Sequence, residues 1–520
     1  MTKRSLYTLI FSSIFVTLCN GAHAAVDANL INTWLHKDGY IVLSDPVKLD
    51  TLDSRLSINA HSKFILPLIF ESLITINAEQ ELKPVLAKSW HITPDKKSIT
   101  VTLKSGHHFS DNTEVTAEDV VKSVYRLCGK GSQESGQLRG LLGCEEYAKY
   151  KKAPPQVYAI GKYDVKFNID SSATTFLYRL SSPSAVIVKQ TPSGLIGSGV
   201  YIIQEKTPNY LILSKNKFYS DDIKAKNSGI VFIYISNHDA VNTLTQKKLD
   251  GALMYRMEEL WNFQDSNYKL IKSNPNITKI LVLNNQRFPF NKPIVRKALA
   301  AEIYNHFDYS CMPGAHKPYG IIPSGVGGSL ANMSPSTMPE ITAYEVFQKV
   351  PSLKHKKISV VIHQLYDVKS DCESNQIIQA AKKYNIAVTF KYHQDYSDLA
   401  PLYANHNLDG FMDLFIFKNR EASNIFEFFE KGGENDANIN QSNIDKMLKE
   451  AVSTSSSHGR FQIYKKLAQY MQDENISIPL YYMDHGNLMS KCLSGISEDF
   501  FFNPFLELPE LSKTKNCNKL

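Results

Sequence analysis

Long apolar runs are almost missing from this chain of 520 residues. One stands at the N-terminus, and no other is long enough to cross a bilayer, which argues against a protein that spans a membrane repeatedly. Runs of lysine or arginine are missing too. The formal net charge of +7 is thinly spread, so nucleic acid is not an expected partner. There is no C-x-x-C, which removes the zinc ribbon and the thioredoxin-type redox centre. H-E-x-x-H, G-x-S-x-G, the Walker A loop and G-x-G-x-x-G are also absent, and with them the commonest routes to metalloprotease, serine-hydrolase and nucleotide chemistry. The expectation is a protein that is neither an enzyme nor the holder of a cofactor. His107-His108 does not change this. On a strand, adjacent side chains point to opposite faces and cannot easily grip one ion.

The apolar run that is present has a meaning. Lys3 and Arg4 precede Ser5 to Leu18, and Ala22-His23-Ala24 supplies an A-x-A cleavage pattern. Residues 1–24 read as a secretory signal peptide, which places the mature chain, from Ala25, in the periplasm. A lipoprotein anchored through Cys19 is disfavoured, because Leu18 stands where such signals need a small residue. Of seven cysteines, Cys19 leaves with the signal. The even remainder in an exported chain favours disulfides. Proximity pairs Cys128 with Cys144 and Cys492 with Cys517, leaving Cys311 with Cys372; a mixture of bridges and buried thiols is the alternative.

A mature chain of this length exceeds one ordinary core, so two or three lobes are expected. Strand-like and helix-like stretches alternate, which predicts an α/β protein. Ile99, Val101 and Leu103 alternate with Thr100, Thr102 and Lys104, as on a half-buried strand. Asp111-Asn112-Thr113 is turn chemistry, and Thr116 then opens a helix with Val120, Val124 and Leu127 on one face; its hydroxyl is placed to accept from the N–H near Asp119. A hairpin is predicted between 200–203 and 206–214, a strand over 230–235 and a helix over 239–247. Ile280 to Leu283 reads as a strand covered on both faces, followed by a helix from Asn291-Lys292-Pro293. Tyr464, Leu467, Ala468 and Met471 mark another helical face, with a strand after it at Ile476, Ile478 and Leu480.

In their order these units resemble a known family. "IFESLITINAEQELKPVLAKSWHITPDKKSITVTLKSGHHFSDNTEVTAEDVVKSVYRL" carries an E-x-L helix end, P-x-L-A-x-S-W with Pro84, Leu86, Ala87, Ser89 and Trp90, then L-x-x-G-x-x-F-x-D and T-A-E-D-V. "IGSGVYII" is similar to a G-T-G-P-Y turn, with Val200 where proline is usual. "LDGALMY" is similar to G-x-I-D, with Asp250 as the acid. "LVLNNQRFPFNKPIVRKALAAEI" matches N-x-x-x-x-P-F-x-D-x-x-V-R-x-A-L at Asn284, Pro289, Phe290, Val295, Arg296, Ala298 and Leu299. The chain thus resembles the extracellular solute-binding proteins of the oligopeptide, dipeptide and nickel class that serve ABC importers. The resemblance implies a two-lobed α/β clamp of the type II periplasmic-binding-protein kind, with an extra subdomain in the first lobe, closing on its ligand by hinge motion. It places the first lobe at 25–74, 184–272 and 486–520, the subdomain at 75–183 and the second lobe at 273–485.

It also implies a site. Peptide-binding members carry G-W-x-x-D-Y-x-D-P, whose Asp pairs with the peptide amine, since a buried ammonium needs a carboxylate. Here "DLFIFKNREASNIFEFFEKGG", 413–433, lacks the Trp and the D-P, and Lys418, Asn419, Arg420 and Glu421 occupy the loop. Glu421 is the candidate amine anchor, and Arg420 or Lys418 the candidate partner of an acidic group; the competing reading is a solvated polar loop. Tyr255 and Arg256, after the L-D-G-A element, are candidate cleft residues. The expected function is a periplasmic binding component for peptides or peptide-like solutes, monomeric, delivering to an inner-membrane ABC permease. The alternatives are a sensor or chaperone that retained the fold, or a binder of an anionic, cell-wall-derived or metal-chelate ligand.

Overall fold

This computed structural model describes residues 28–514, except 46–47, 50, 57–61, 78–80, 133, 151–153, 171–172, 221–224, 236, 247, 257–262, 264, 273–276, 313, 332–336, 366–370, 394–401, 403–407, 418–421, 423–424, 427, 430–441, 455, 484 and 497–506. Among the described residues, three larger sheets organise the chain, of seven, six and four strands.

The seven-stranded sheet runs in the order 201–206, 210–215, 229–234, 40–45, 251–256, 485–490, 268–272. Tyr40–Asp45 lies parallel to both of its neighbours, and the other pairings are antiparallel. Its apolar runs serve two cores. Ile41, Leu43, Ile230 and Phe232 pack on one face, while Tyr40, Val42, Val231 and Ile233 pack on the other. That alternation is the period of two working in a sheet covered on both sides.

The six-stranded sheet has the order 315–316, 477–483, 277–283, 410–416, 358–365, 386–393. Every residue of Ile277–Leu283 is buried, as its continuous apolar run predicts. Tyr464, Leu467, Ala468 and Met471 of the helix Ser457–Asp473 close the core on one side of this sheet. The four-stranded sheet joins 87–92, 98–103, 164–168 and 157–159. Ile99, Val101 and Leu103 point into its core together with Val120, Val124 and Leu127 of the helix Ala117–Leu127. The architecture is a two-lobed α/β clamp, with the four-stranded unit as the additional subdomain of the first lobe.

Several local expectations are met, and some are adjusted. The 200–214 hairpin forms as Tyr201–Lys206 and Tyr210–Lys215. The helix expected over 239–247 runs Asn237–Thr245. The E-x-L segment is not a helix end: the helix stops at Ile69, and Glu71–Ser72 pairs as a short strand with Val186–Ile187. Thr116 and Asp119 form a reciprocal capping box, as expected, with the acid adding its own contacts. The Asp119 carboxylate accepts from the Thr116 N–H at 2.9 Å and from its hydroxyl at 2.7 Å, short contacts as expected for a charged acceptor. Cys128–Cys144 is bridged as proximity predicts, and Cys311–Cys372 as the pair left over. Cys492 is buried, and Cys517 lies outside the described residues. So does the N-terminal segment read as a signal peptide. Among the described residues no helix is long and apolar enough to cross a membrane.

Candidate functional site

The strand directions build a cleft before any side chain is considered. Because 229–234, 40–45 and 251–256 are parallel, their C-terminal ends share one edge of the seven-stranded sheet. The antiparallel partners bring Lys272 beside Gly486, and His485 beside Arg256, at that same edge. In the other sheet, Ile277 pairs with both Ile416 and Met483. The ends of 358–365 and 386–393 lie parallel to the end of 410–416. Residues 273–276 and 484 are the two links between these edges. The C-terminal ends of both sets of parallel strands therefore face the links, which is where open α/β sheets form ligand crevices.

Two of the sequence-predicted groups lie at this edge at the level of the backbone. Tyr255 and Arg256 end the strand Gly251–Arg256, opposite Gly486 and His485 at one link; their side chains lie outside the description. Lys418, Asn419, Arg420 and Glu421 lie outside the described residues. The strand that delivers them, Gly410–Ile416, ends beside Ile277 at the other link.

Other motif residues are structural. Asp250 Oδ2 accepts from the Val42 N–H at 2.8 Å and sits 2.9 Å from Lys513 Nζ, stitching two parallel strands to the C-terminal segment. Burial pushes its pKa up, against the pull of Lys513. Arg296 is buried and donates to the carbonyls of Phe290, Glu474 and Asn475 at 2.8, 3.1 and 3.1 Å, so it satisfies the end of the helix Ser457–Asp473. Asn284 donates to the Leu408 carbonyl at 2.9 Å. His107 meets Glu71 at 2.7 Å in full burial, whereas His108 approaches Ser220 at 3.4 Å. Among the described residues no three His, Cys, Asp or Glu side chains converge on a possible metal position.

Two constellations were not visible in the sequence. On the second lobe, His363 Nδ1 and His393 Nε2 lie 2.8 Å apart with the rings stacked, on adjacent parallel strands near their C-terminal ends. Burial first, then the charges of His393 and Lys391, bring the His363 pKa down to about 4, against the pull of Asp409. A neutral His363 allows the two rings to share a single N–H···N bond. On the first lobe, in the connection that follows Tyr40–Asp45, Asp53 holds two arginines. Arg55 donates from Nε and Nη2 at 3.0 and 2.7 Å, and Arg126 Nη2 reaches Asp53 Oδ1 at 2.6 Å. Burial raises the Asp53 pKa, but the Arg55 hydrogen bond and the Arg126 charge more than offset it and hold the carboxylate ionised. The only sequence trace of this cluster is Asp-x-Arg at 53–55; Arg126 arrives from the helix Ala117–Leu127.

The fold agrees with the comparisons. The profile of the bacterial extracellular solute-binding proteins, family 5 Middle, matches residues 81–303. Over these residues the chain is similar to the family 5 extracellular solute-binding proteins. It is similar to the probable D,D-dipeptide-binding periplasmic protein DdpA of Escherichia coli (strain K12), 24% identical with 94% of each chain covered. It is also similar to the periplasmic murein peptide-binding protein MppA of the same organism, 22% identical over 82% of this chain and 84% of that one. Among solved structures, the periplasmic binding protein DppA of Helicobacter pylori in complex with peptide STSA superposes with a TM-score of 0.75 at 17% identity. That superposition covers 93% of this chain and 100% of the other.

Proposed function

We propose that this chain is the periplasmic solute-binding component of an ABC importer, taking a peptide or peptide-like solute between its two lobes. The observation that carries the reading is the pair of sheet edges, each made of strand C-termini, that face one another across two short links. Such an arrangement closes by hinge rotation and buries a ligand between the lobes. The D,D-dipeptide-binding and murein peptide-binding relatives support the solute class. The same proposal includes export through the cleavable segment 1–24, a monomeric state and delivery to an inner-membrane permease. The lobes are 25–74 with 184–272 and 486–520, the subdomain 75–183, and the second lobe 273–485, a division supported by sheet membership. Within the cleft, Glu421 anchors the ligand amine, while Lys418, Asn419 and Arg420 line the same loop and Tyr255 and Arg256 approach from the first lobe.

Native mass spectrometry of the purified mature protein, followed by denaturation, tests the solute class. Release of a series of short peptides is expected, and Glu421→Ala then weakens their binding. A single non-peptide mass, or an empty protein that ignores added peptides, overturns the peptide reading.

A further inference from the structure

The Asp53 cluster carries a charge its own residues do not balance. Two guanidinium groups converge on one carboxylate, leaving one positive charge in excess. Asp53 and Arg126 are mostly buried and Arg55 is about a quarter exposed, with side-chain accessibilities of 17%, 16% and 27%. Arg55 commits Nε and Nη2 to Asp53, and Arg126 commits Nη2. Among the described residues their remaining N–H groups have no further partner. A scaffold link between the 46–61 connection and the helix Ala117–Leu127 needs one arginine. A second, brought against the first, adds repulsion: the Arg126 pKa is lowered, by burial first and by the Arg55 charge in addition, although Asp53 pulls the other way. Donors aligned by a shared carboxylate, partly withdrawn from water and short of one negative charge, are organised for an oxyanion. The connection that holds Arg55 springs from the cleft edge of the seven-stranded sheet, at the end of Tyr40–Asp45.

We propose that Arg55 and Arg126, oriented by Asp53, form an anion subsite on the first lobe that receives a carboxylate of the bound solute. The assignment of that anion to the solute rests on the peptide-like reading of the cleft. The carboxylate is either the C-terminus or an acidic side chain, and the two sources share this chemistry.

The test compares the wild-type mature protein with Arg55→Gln, which leaves the Arg126–Asp53 pair in place. Thermal unfolding in sodium sulfate against sodium chloride, at matched ionic strength, reads the subsite without any peptide. The general effect of sulfate is common to both proteins. An added sulfate-dependent rise in Tm is expected in the wild type and is expected to vanish in Arg55→Gln. Calorimetry with Ala-Ala-Ala and its C-terminal amide, and with Ala-Glu-Ala and Ala-Gln-Ala, assigns the source. The wild type should favour the acid of one pair by about 10- to 100-fold, and Arg55→Gln should remove that preference without weakening the uncharged member. Equal sulfate increments in the two proteins, or an acid preference unchanged by the substitution, overturn the proposal. If none of the peptides binds while the sulfate increment still depends on Arg55, the peptide reading fails and the anion subsite stands.

Discussion

Glu114 accepts from Lys162 Nζ at 2.7 Å, the Tyr163 hydroxyl at 2.6 Å and the Gly106 N–H at 2.9 Å, and these contacts hold its pKa at about 2 instead of 4.5. A lowered carboxylate pKa stabilises the fold above the unfolded value, and that contribution is lost as pH falls from 4.5 towards 2. Glu114→Gln should therefore lower Tm at pH 7 and flatten its dependence across that window, as measured by circular dichroism. His363 works in a higher range. With its pKa depressed from 6.5 to about 4, the unfolded chain binds more protons between those values, so stability falls as pH drops through them. His363→Phe should remove the part of the acid sensitivity between pH 6.5 and 4 and leave the lower window unchanged. Equal slopes in the two proteins would show that the ring is not held neutral. Neither residue was assigned such a role from the sequence. Glu114 stands between the turn at 111–113 and the Thr116 cap, and His363 and His393 are thirty positions apart, brought together only by the parallel pairing of their strands.

Elements were more legible than single residues, and the reason is periodicity. The strand Ser98–Leu103, the helix Ala117–Leu127 and the fully buried strand Ile277–Leu283 follow from apolar spacing alone. What the spacing could not assign was the work of the motif residues between elements. Arg296 lies in a run that resembles a family signature, yet its guanidinium terminates a helix nearly two hundred residues away in sequence. Arg296→Met should cost about 3 kcal/mol in urea denaturation, because buried carbonyls lose their donors, while ligand affinity stays near wild type. Cys128 caps the helix Ala117–Leu127, and its bridge to Cys144 closes a loop with a sequence separation of 16. Replacing both cysteines with alanine should cost about 3 kcal/mol by the loop-entropy argument, read as a lower urea midpoint than that of the oxidised wild type.

Across the whole molecule, the lobes meet at more than the two links. The Arg460 guanidinium, on the helix Ser457–Asp473 of the second lobe, lies 4.5 Å from the centre of the Tyr178 ring on the subdomain helix Ala173–Leu180. Such a contact is worth about 0.5–2 kcal/mol, enough to bias an open–closed equilibrium. Tyr178→Ala should give the ligand-free protein a larger radius of gyration in solution scattering; an unchanged value would mean that the contact does not restrain the lobes. The sequence by itself determined the α/β class, the two-lobed plan, two of the disulfides and most of the elements. These depend on periodicity, turn chemistry and motif order, which are local properties of the chain. Only the tertiary structure decided which charges meet. Asp53 with Arg126, His363 with His393, and Arg460 with Tyr178 are pairs between distant segments, and their existence depends on sheet register and lobe placement, which no local pattern encodes.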